Sequence, residues 1–95
     1  MDVFDRLNID TSTELTLFKG LAYLELGRDE QAFALLSLAS TDSNYIFQED
    51  AIWYAMLISV KMNKKNEIMQ FIEQLIQFDG RFKEEALGIR DILLN

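Results

Sequence analysis

Apolar residues recur along this chain mainly at steps of three and four, a spacing that places side chains on one face of an α-helix. In the first half the pattern predicts one helix over 13–26 and a second over 29–40. Gly27 is expected to end the first, because glycine adopts the left-handed backbone conformation without steric cost. Asp29 is predicted to cap the second helix. The two elements form a helix pair over 13–40.

The second half repeats this plan. A helix over 47–62 is apolar on nearly every side, as expected for an element with neighbours on both flanks. A fourth helix follows a polar turn and ends at Asp79-Gly80, which completes a second pair over 47–78. A fifth helix over 82–94 has an apolar stripe along one face and is predicted to close the structure as a C-terminal capping helix.

The N-terminal segment 1–12 contains a short amphipathic stretch, formed by Val3, Phe4 and Leu7. A T-x-x-E motif, Thr11 to Glu14, marks the start of the first long helix, since its hydroxyl and carboxylate can accept hydrogen bonds from free backbone amides. The 95 residues, 49% of them hydrophobic, suffice for one core. No proline interrupts a helix. Residues 1–95 are therefore predicted to form a single all-α domain.

Composition narrows the function classes. The chain has no cysteine and no histidine, so thiolate metal sites and the commonest general base are missing. We expect no enzyme activity, no metal and no cofactor. The formal net charge of −7 disfavours nucleic acid as a partner. The longest nearly apolar run, Ala51 to Val60, is half of the roughly 20 residues that a bilayer requires, so this segment is not expected to insert into a membrane.

Several residues occur at spacings typical of antiparallel helix pairs. In the first half they are Thr16, Lys19, Gly20, Tyr23, Gly27, Ala32, Leu36 and Ala39. In the second half they are Trp53, Met56, Leu57, Val60, Met69 and Ile76. This pattern resembles the tetratricopeptide repeat (TPR) family, in which small residues let two helices of a repeat approach closely. Two stretches, DAIWYAMLISVKMNKKNEI over 50–68 and FKEEALGIRDILL over 82–94, are also similar to C-terminal repeat segments of bacterial envelope proteins.

The resemblance implies a right-handed α-α superhelix of about two repeats plus a capping helix. Gly20, Tyr23, Gly27, Ala32 and Trp53 are then structural repeat positions. Pairing Tyr23 with Val60 and Ala32 with Met69 gives a separation of 37 residues, against about 34 in the family.

In such arrays the first helix of each pair forms a concave binding face. The candidate peptide-binding residues there are Leu17, Phe18, Leu21, Leu24, Tyr54, Ile58 and Lys61, with Ala51 and Ala55 on the same predicted face. Family members that grip a C-terminal carboxylate have basic residues and asparagine at the corresponding positions. Leu17, Phe18 and Leu21 stand there in this chain, so an apolar peptide or an amphipathic helix is the better candidate ligand.

Two interpretations of the apolar face stay open. Phe18, Leu21 and Tyr54 either form an open binding face or belong to the core, covered by Phe4 and Leu7. The favoured function is a non-catalytic protein-protein interaction module. The alternative is homo-oligomerisation, as a homodimer, or a scaffold within a larger bacterial protein. The compartment stays open between the cytoplasmic and the periplasmic part of a membrane-anchored protein.

Overall fold

The computed structural model describes residues 12–94, and over that range the chain is all-helical, as predicted. The helices are α1 (Ser12–Glu25), α2 (Asp29–Ala39), α3 (Gln48–Lys61), α4 (Lys65–Phe78) and α5 (Lys83–Leu94). The predicted turn of Val3, Phe4 and Leu7, and Thr11 of the T-x-x-E motif, lie outside the described residues.

The helices pack in chain order. Within the described part, α1 packs on α2, α2 on α3, α3 on α4 and α4 on α5. Helix α3 therefore has neighbours on both flanks, which confirms its prediction as the central element. Its buried residues lie on more than one side of the helix: Ala51, Ile52, Ala55, Met56, Ile58 and Ser59.

Small residues bring α1 and α2 close together. Gly20 is buried, and a Cβ atom built on it would lie 2.8 Å from Leu36 Cδ2 and 3.3 Å from Leu35 Cβ. Ala32 on α2 is also fully buried. Gly20 lies about as many residues before the turn at Gly27 as Leu35 and Leu36 lie after it. Since these residues are in contact, α1 and α2 run antiparallel.

The turn after α1 has the hydrogen bonds of a Schellman motif. The Arg28 N–H donates to the Tyr23 carbonyl at 2.9 Å, and the Gly27 N–H donates to the Leu24 carbonyl at 3.1 Å. Gly27 has φ +74°, so its predicted left-handed conformation is confirmed.

The turn after α3 repeats that geometry with a different residue. The Lys64 N–H donates to the Ser59 carbonyl at 2.9 Å, and the Asn63 N–H donates to the Val60 carbonyl at 3.0 Å. Asn63, with φ 57°, takes the place of Gly27. Asparagine is among the few residues other than glycine that tolerate this conformation.

These equivalent turns set the spacing of the two helix pairs at 36 residues. Tyr23 corresponds to Ser59 and Ala32 to Ile68, not to Val60 and Met69, so the predicted spacing of 37 is wrong by one residue. The predicted spacing of 37 residues would place Lys64 opposite Gly27, whereas the left-handed residue of the second turn is Asn63.

The start of α2 also differs from the prediction. Arg28, not Asp29, is the N-cap residue, and its side chain makes no capping hydrogen bond. Asp29 lies in the first turn of α2, where a negative charge is favourable, and forms an ion pair of 2.9 Å with Lys61 of α3.

The loop between α4 and α5 is anchored to the first turn of α3. The Phe82 N–H donates to Glu49 Oε2 at 3.0 Å, and Arg81 pairs with Asp50. A Cβ on Gly80 would overlap the Glu49 carboxylate, so the absence of a side chain makes room for this group. Helix α5 is thereby held with its N-terminal end beside α3.

Candidate functional site

The N-terminal parts of α1 and α3, together with the α2–α3 and α4–α5 connections, surround an open cavity of about 420 Å³. We call it the aromatic groove. Its lining residues are Glu14, Leu17, Phe18, Tyr45, Phe47, Asp50, Trp53, Tyr54, Arg81 and Phe82.

Aromatic side chains dominate this lining. Six of the ten lining residues are aromatic, whereas aromatic residues make up 12% of the whole chain. Aromatic rings supply large contact areas at a small cost in conformational entropy, which is why they are enriched in the centres of protein interfaces.

One wall of the groove is a stacked pair of rings. The Trp53 and Phe82 rings are nearly parallel, with an interplanar angle of 6° and centroids 4.6 Å apart. The Arg81 guanidinium lies over the Phe82 ring, with its Cζ 5.0 Å from the centroid, and also pairs with Asp50. These contacts fix the position of the wall.

The rim of the groove is apolar and accessible. Phe18 is 58% exposed, and Phe47 is exposed as well. Tyr45 meets Phe47 edge to face, with centroids 5.8 Å apart. A ligand entering the groove would therefore remove aromatic surface from water, which is a favourable contribution to binding.

Equivalent positions of the two helix pairs contribute to the groove. With the spacing of 36 residues, Glu14 corresponds to Asp50 and Phe18 to Tyr54. By the same relation Leu17 corresponds to Trp53. The groove thus combines an acidic residue and two apolar or aromatic residues from each first helix.

Two carboxylates of the groove, Glu14 and Asp50, interact electrostatically with the Tyr45 hydroxyl. Burial raises the pKa of the Tyr45 hydroxyl, and the charges of Glu14 and Asp50 raise it further. Asp50 is paired with Arg81, whereas Glu14 forms no ion pair with any residue in the range 12–94. Glu14 is therefore the carboxylate whose charge is least compensated.

The structure brings some of the predicted binding residues together and separates others. Leu17, Phe18 and Tyr54 line the aromatic groove, and Phe18 is 58% exposed. The alternative in which Phe4 and Leu7 cover Phe18 involves residues outside the described range. Leu21 and Leu24 are half-buried against the core and lie outside the groove lining.

Three predicted members of the binding face belong to the core. Ile58 is fully buried, so its prediction as a peptide-binding residue is wrong, and the same holds for Ala51 and Ala55 on that face. Lys61 is exposed at the C-terminal end of α3, where it pairs with Asp29.

Four lining residues outside the long helices were not predicted from sequence. Tyr45 and Phe47 lie in the α2–α3 connection, and Arg81 and Phe82 lie in the α4–α5 connection. The available signal was an aromatic residue directly before each helix start, at Phe47 and at Phe82. Trp53 was expected to have a structural role only, yet it also lines the groove.

A second cavity lies at the other end of α3, α4 and α5. We call it the C-terminal pocket; its volume is about 530 Å³, and its lining residues are Val60, Asn63, Lys65, Ile68, Met69, Ile89, Leu93 and Leu94. The adjoining Ile92 is 74% exposed. This apolar surface on α5 differs from the polar outer face that is typical of a capping element.

Within residues 12–94, no three His, Cys, Asp or Glu side chains are grouped so that they would hold a metal ion. In the same range, no helix combines the length and the apolar character needed to span a bilayer. Comparisons with protein-family models, with curated proteins and with solved structures find no match to this chain.

Proposed function

We propose that this chain is a TPR-like protein-interaction module whose aromatic groove binds an apolar peptide segment of a partner protein. The observation that carries the proposal is the groove itself: six aromatic residues around an open cavity of about 420 Å³. Peptide-binding surfaces of this kind hold the large apolar side chains of a ligand as anchors.

The helix pairs support the TPR-like part of the proposal. Two pairs share equivalent Schellman turns 36 residues apart, at Gly27 and Asn63. In each pair a tight turn joins two helices, and Gly20 permits close packing in the first. Within residues 12–94, six of the ten lining residues belong to the first helix of a pair, which is where arrays of this type bind peptides.

Selection of short random peptides from a phage-display library against the full chain tests the proposal. The only tryptophan, Trp53, lies in the groove, so its fluorescence reports binding of the selected peptides directly. Phe18→Asp is expected to abolish binding while the helical circular dichroism is retained, because Phe18 is exposed. Tyr54→Asp serves as a second groove variant.

Leu38→Asp is the matched control for Phe18→Asp. Leu38 lies on α2 outside the groove and is 61% exposed, close to the 58% of Phe18. Peptides that bind the two variants equally well would contradict the proposed site. A library that gives no peptide sensitive to Phe18→Asp would overturn the proposal.

Self-association is a second candidate function, and the apolar surface of α5 favours it. Ile92 and Leu94 are 74% and 69% exposed, and within residues 12–94 Lys65 is the only charged residue lining the adjacent C-terminal pocket. A second copy that covers this patch would remove its apolar side chains from water. Light scattering over a concentration series tests this: a dimer that Leu93→Asp converts to a monomer is the expected result.

A further inference from the structure

The charges of the aromatic groove indicate which class of peptide it selects, and this inference rests on the proposed function. Among the residues that the structure describes, its lining has two carboxylates, Glu14 and Asp50, and one cation, Arg81. Asp50 is paired with Arg81, so the excess negative charge belongs to Glu14. Glu14 has no ion-pair partner in the range 12–94.

A ligand that covers the groove removes water from Glu14. Loss of hydration around a carboxylate is unfavourable unless a new partner replaces the water. An apolar peptide without a cation would leave Glu14 uncompensated, and an acidic peptide would add like-charge repulsion.

The aromatic residues add a second attraction for a cation. Lysine and arginine bind the faces of aromatic rings, and their methylene stems pack on apolar surface. The protein already has two contacts of this type. Arg81 Cζ lies 5.0 Å from the Phe82 centroid, and Lys64 Nζ lies 4.8 Å from the Phe33 centroid.

We infer that the aromatic groove binds a peptide segment in which an apolar anchor residue is flanked by a lysine or arginine, with Glu14 as the counter-ion of that basic side chain. The anchor fills the space between Phe18 and Tyr54. The basic residue compensates Glu14, so affinity depends on its charge and falls as salt screens the interaction.

The test uses peptides selected by the groove and made synthetically in three forms, with lysine, glutamine or glutamate at the position flanking the anchor. Binding to the full chain is followed by Trp53 fluorescence at low salt. The lysine form is expected to bind about fivefold more tightly than the glutamine form. The glutamate form is expected to bind more weakly than either.

Glu14→Gln is expected to remove the advantage of lysine over glutamine. Glu25→Gln is the matched control, because Glu25 is exposed on the same helix and lies outside the groove lining. Both substitutions change the net charge by the same amount. The advantage of lysine should persist in this variant.

Each outcome supports or overturns the inference. Peptides that lose binding in Phe18→Asp but show no preference for lysine would overturn the basic-peptide inference and leave the proposed function standing. A library without any peptide sensitive to Phe18→Asp would overturn both. A dimer that Phe18→Asp converts to a monomer would show that a second copy occupies the groove, which also overturns the inference.

Discussion

The Trp53 and Phe82 rings stack face to face, with centroids 4.6 Å apart. The pair connects the central helix α3 to the α4–α5 connection directly before α5, and it also forms one wall of the aromatic groove. The same contact therefore contributes to stability and to the proposed binding site.

Phe82→Ala should destabilise the protein and expose Trp53 to solvent. Removing a half-buried ring together with its stacking interaction is expected to lower the free energy of unfolding by about 2 kcal/mol. Urea denaturation measures this change, and the Trp53 emission maximum of the folded variant should shift to longer wavelengths. Phe78→Ala is the control, since Phe78 is more exposed than Phe82 and its ring does not stack on Trp53. An unchanged emission maximum would contradict the role of the stack.

Gly20→Ala should destabilise the protein even though alanine favours helices. The new Cβ would lie 2.8 Å from Leu36 Cδ2, and Leu36 is fully buried and has little room to move. Overpacking of this kind costs about 1–3 kcal/mol, which exceeds the gain in helix propensity of about 1 kcal/mol.

Gly88→Ala is the matched control for Gly20→Ala. Nothing lies within 4 Å of a Cβ atom built on Gly88, which is exposed on α5. At that position only the higher helix propensity of alanine matters, so the free energy of unfolding should rise by about 0.5–1 kcal/mol. Thermal denaturation of both variants gives the comparison, and a shift of the same sign in both would show that the contact with Leu36 is not tight.

In both turns, the residue in the left-handed conformation should give a more stable protein when it is glycine than when it is alanine. Gly27→Ala introduces a Cβ at φ +74° and is expected to cost about 1 kcal/mol. Asn63→Ala should also destabilise, whereas Asn63→Gly should leave the stability equal or higher, because φ at this residue is 57°. Urea denaturation distinguishes these cases. A loss of stability in Asn63→Gly would indicate that the asparagine side chain contributes more than its backbone conformation.

Within residues 12–94, the helices and their approximate bounds could be predicted from sequence because the apolar periodicity and the turn residues agreed. The spacing of the repeat was predicted wrongly because Tyr23 was paired with Val60, although only asparagine in the second turn readily adopts the left-handed conformation. Placing Asn63 instead of Lys64 opposite Gly27 would have given the observed spacing of 36 residues.

The proposed binding face was predictable only in part. Phe18 and Tyr54 occupy equivalent positions on two first helices, so their common face followed from periodicity. Helix α3 is apolar on nearly every side, and its pattern therefore cannot show which face is covered by neighbours, which is why Ile58 was misplaced. Tyr45 and Phe82 reach the groove from connections whose positions depend on tertiary contacts.

Tyr45 provides a pH-dependent test of the groove electrostatics. Ionisation would place a negative charge in a partly buried position near Glu14 and Asp50, and its pKa in the folded protein is raised above the ordinary value of about 10. The unfolded chain thus loses this proton at a lower pH than the folded protein does. The associated stability is fully present below about pH 10 and declines as the pH rises through the pKa of the folded state.

Absorbance at alkaline pH measures the ionisation of tyrosine directly. Subtracting the titration curve of Tyr45→Phe from that of the unmodified protein isolates the contribution of Tyr45 among the three tyrosines. The midpoint of this difference curve should lie above the ordinary pKa of tyrosine. Glu14→Gln should lower that midpoint, because it removes one of the negative charges that oppose ionisation. Glu25→Gln, outside the groove, should leave it unchanged. A Tyr45 midpoint at the ordinary value, or one that does not respond to Glu14→Gln, would show that solvent screens the groove and that Glu14 exerts no effective field there.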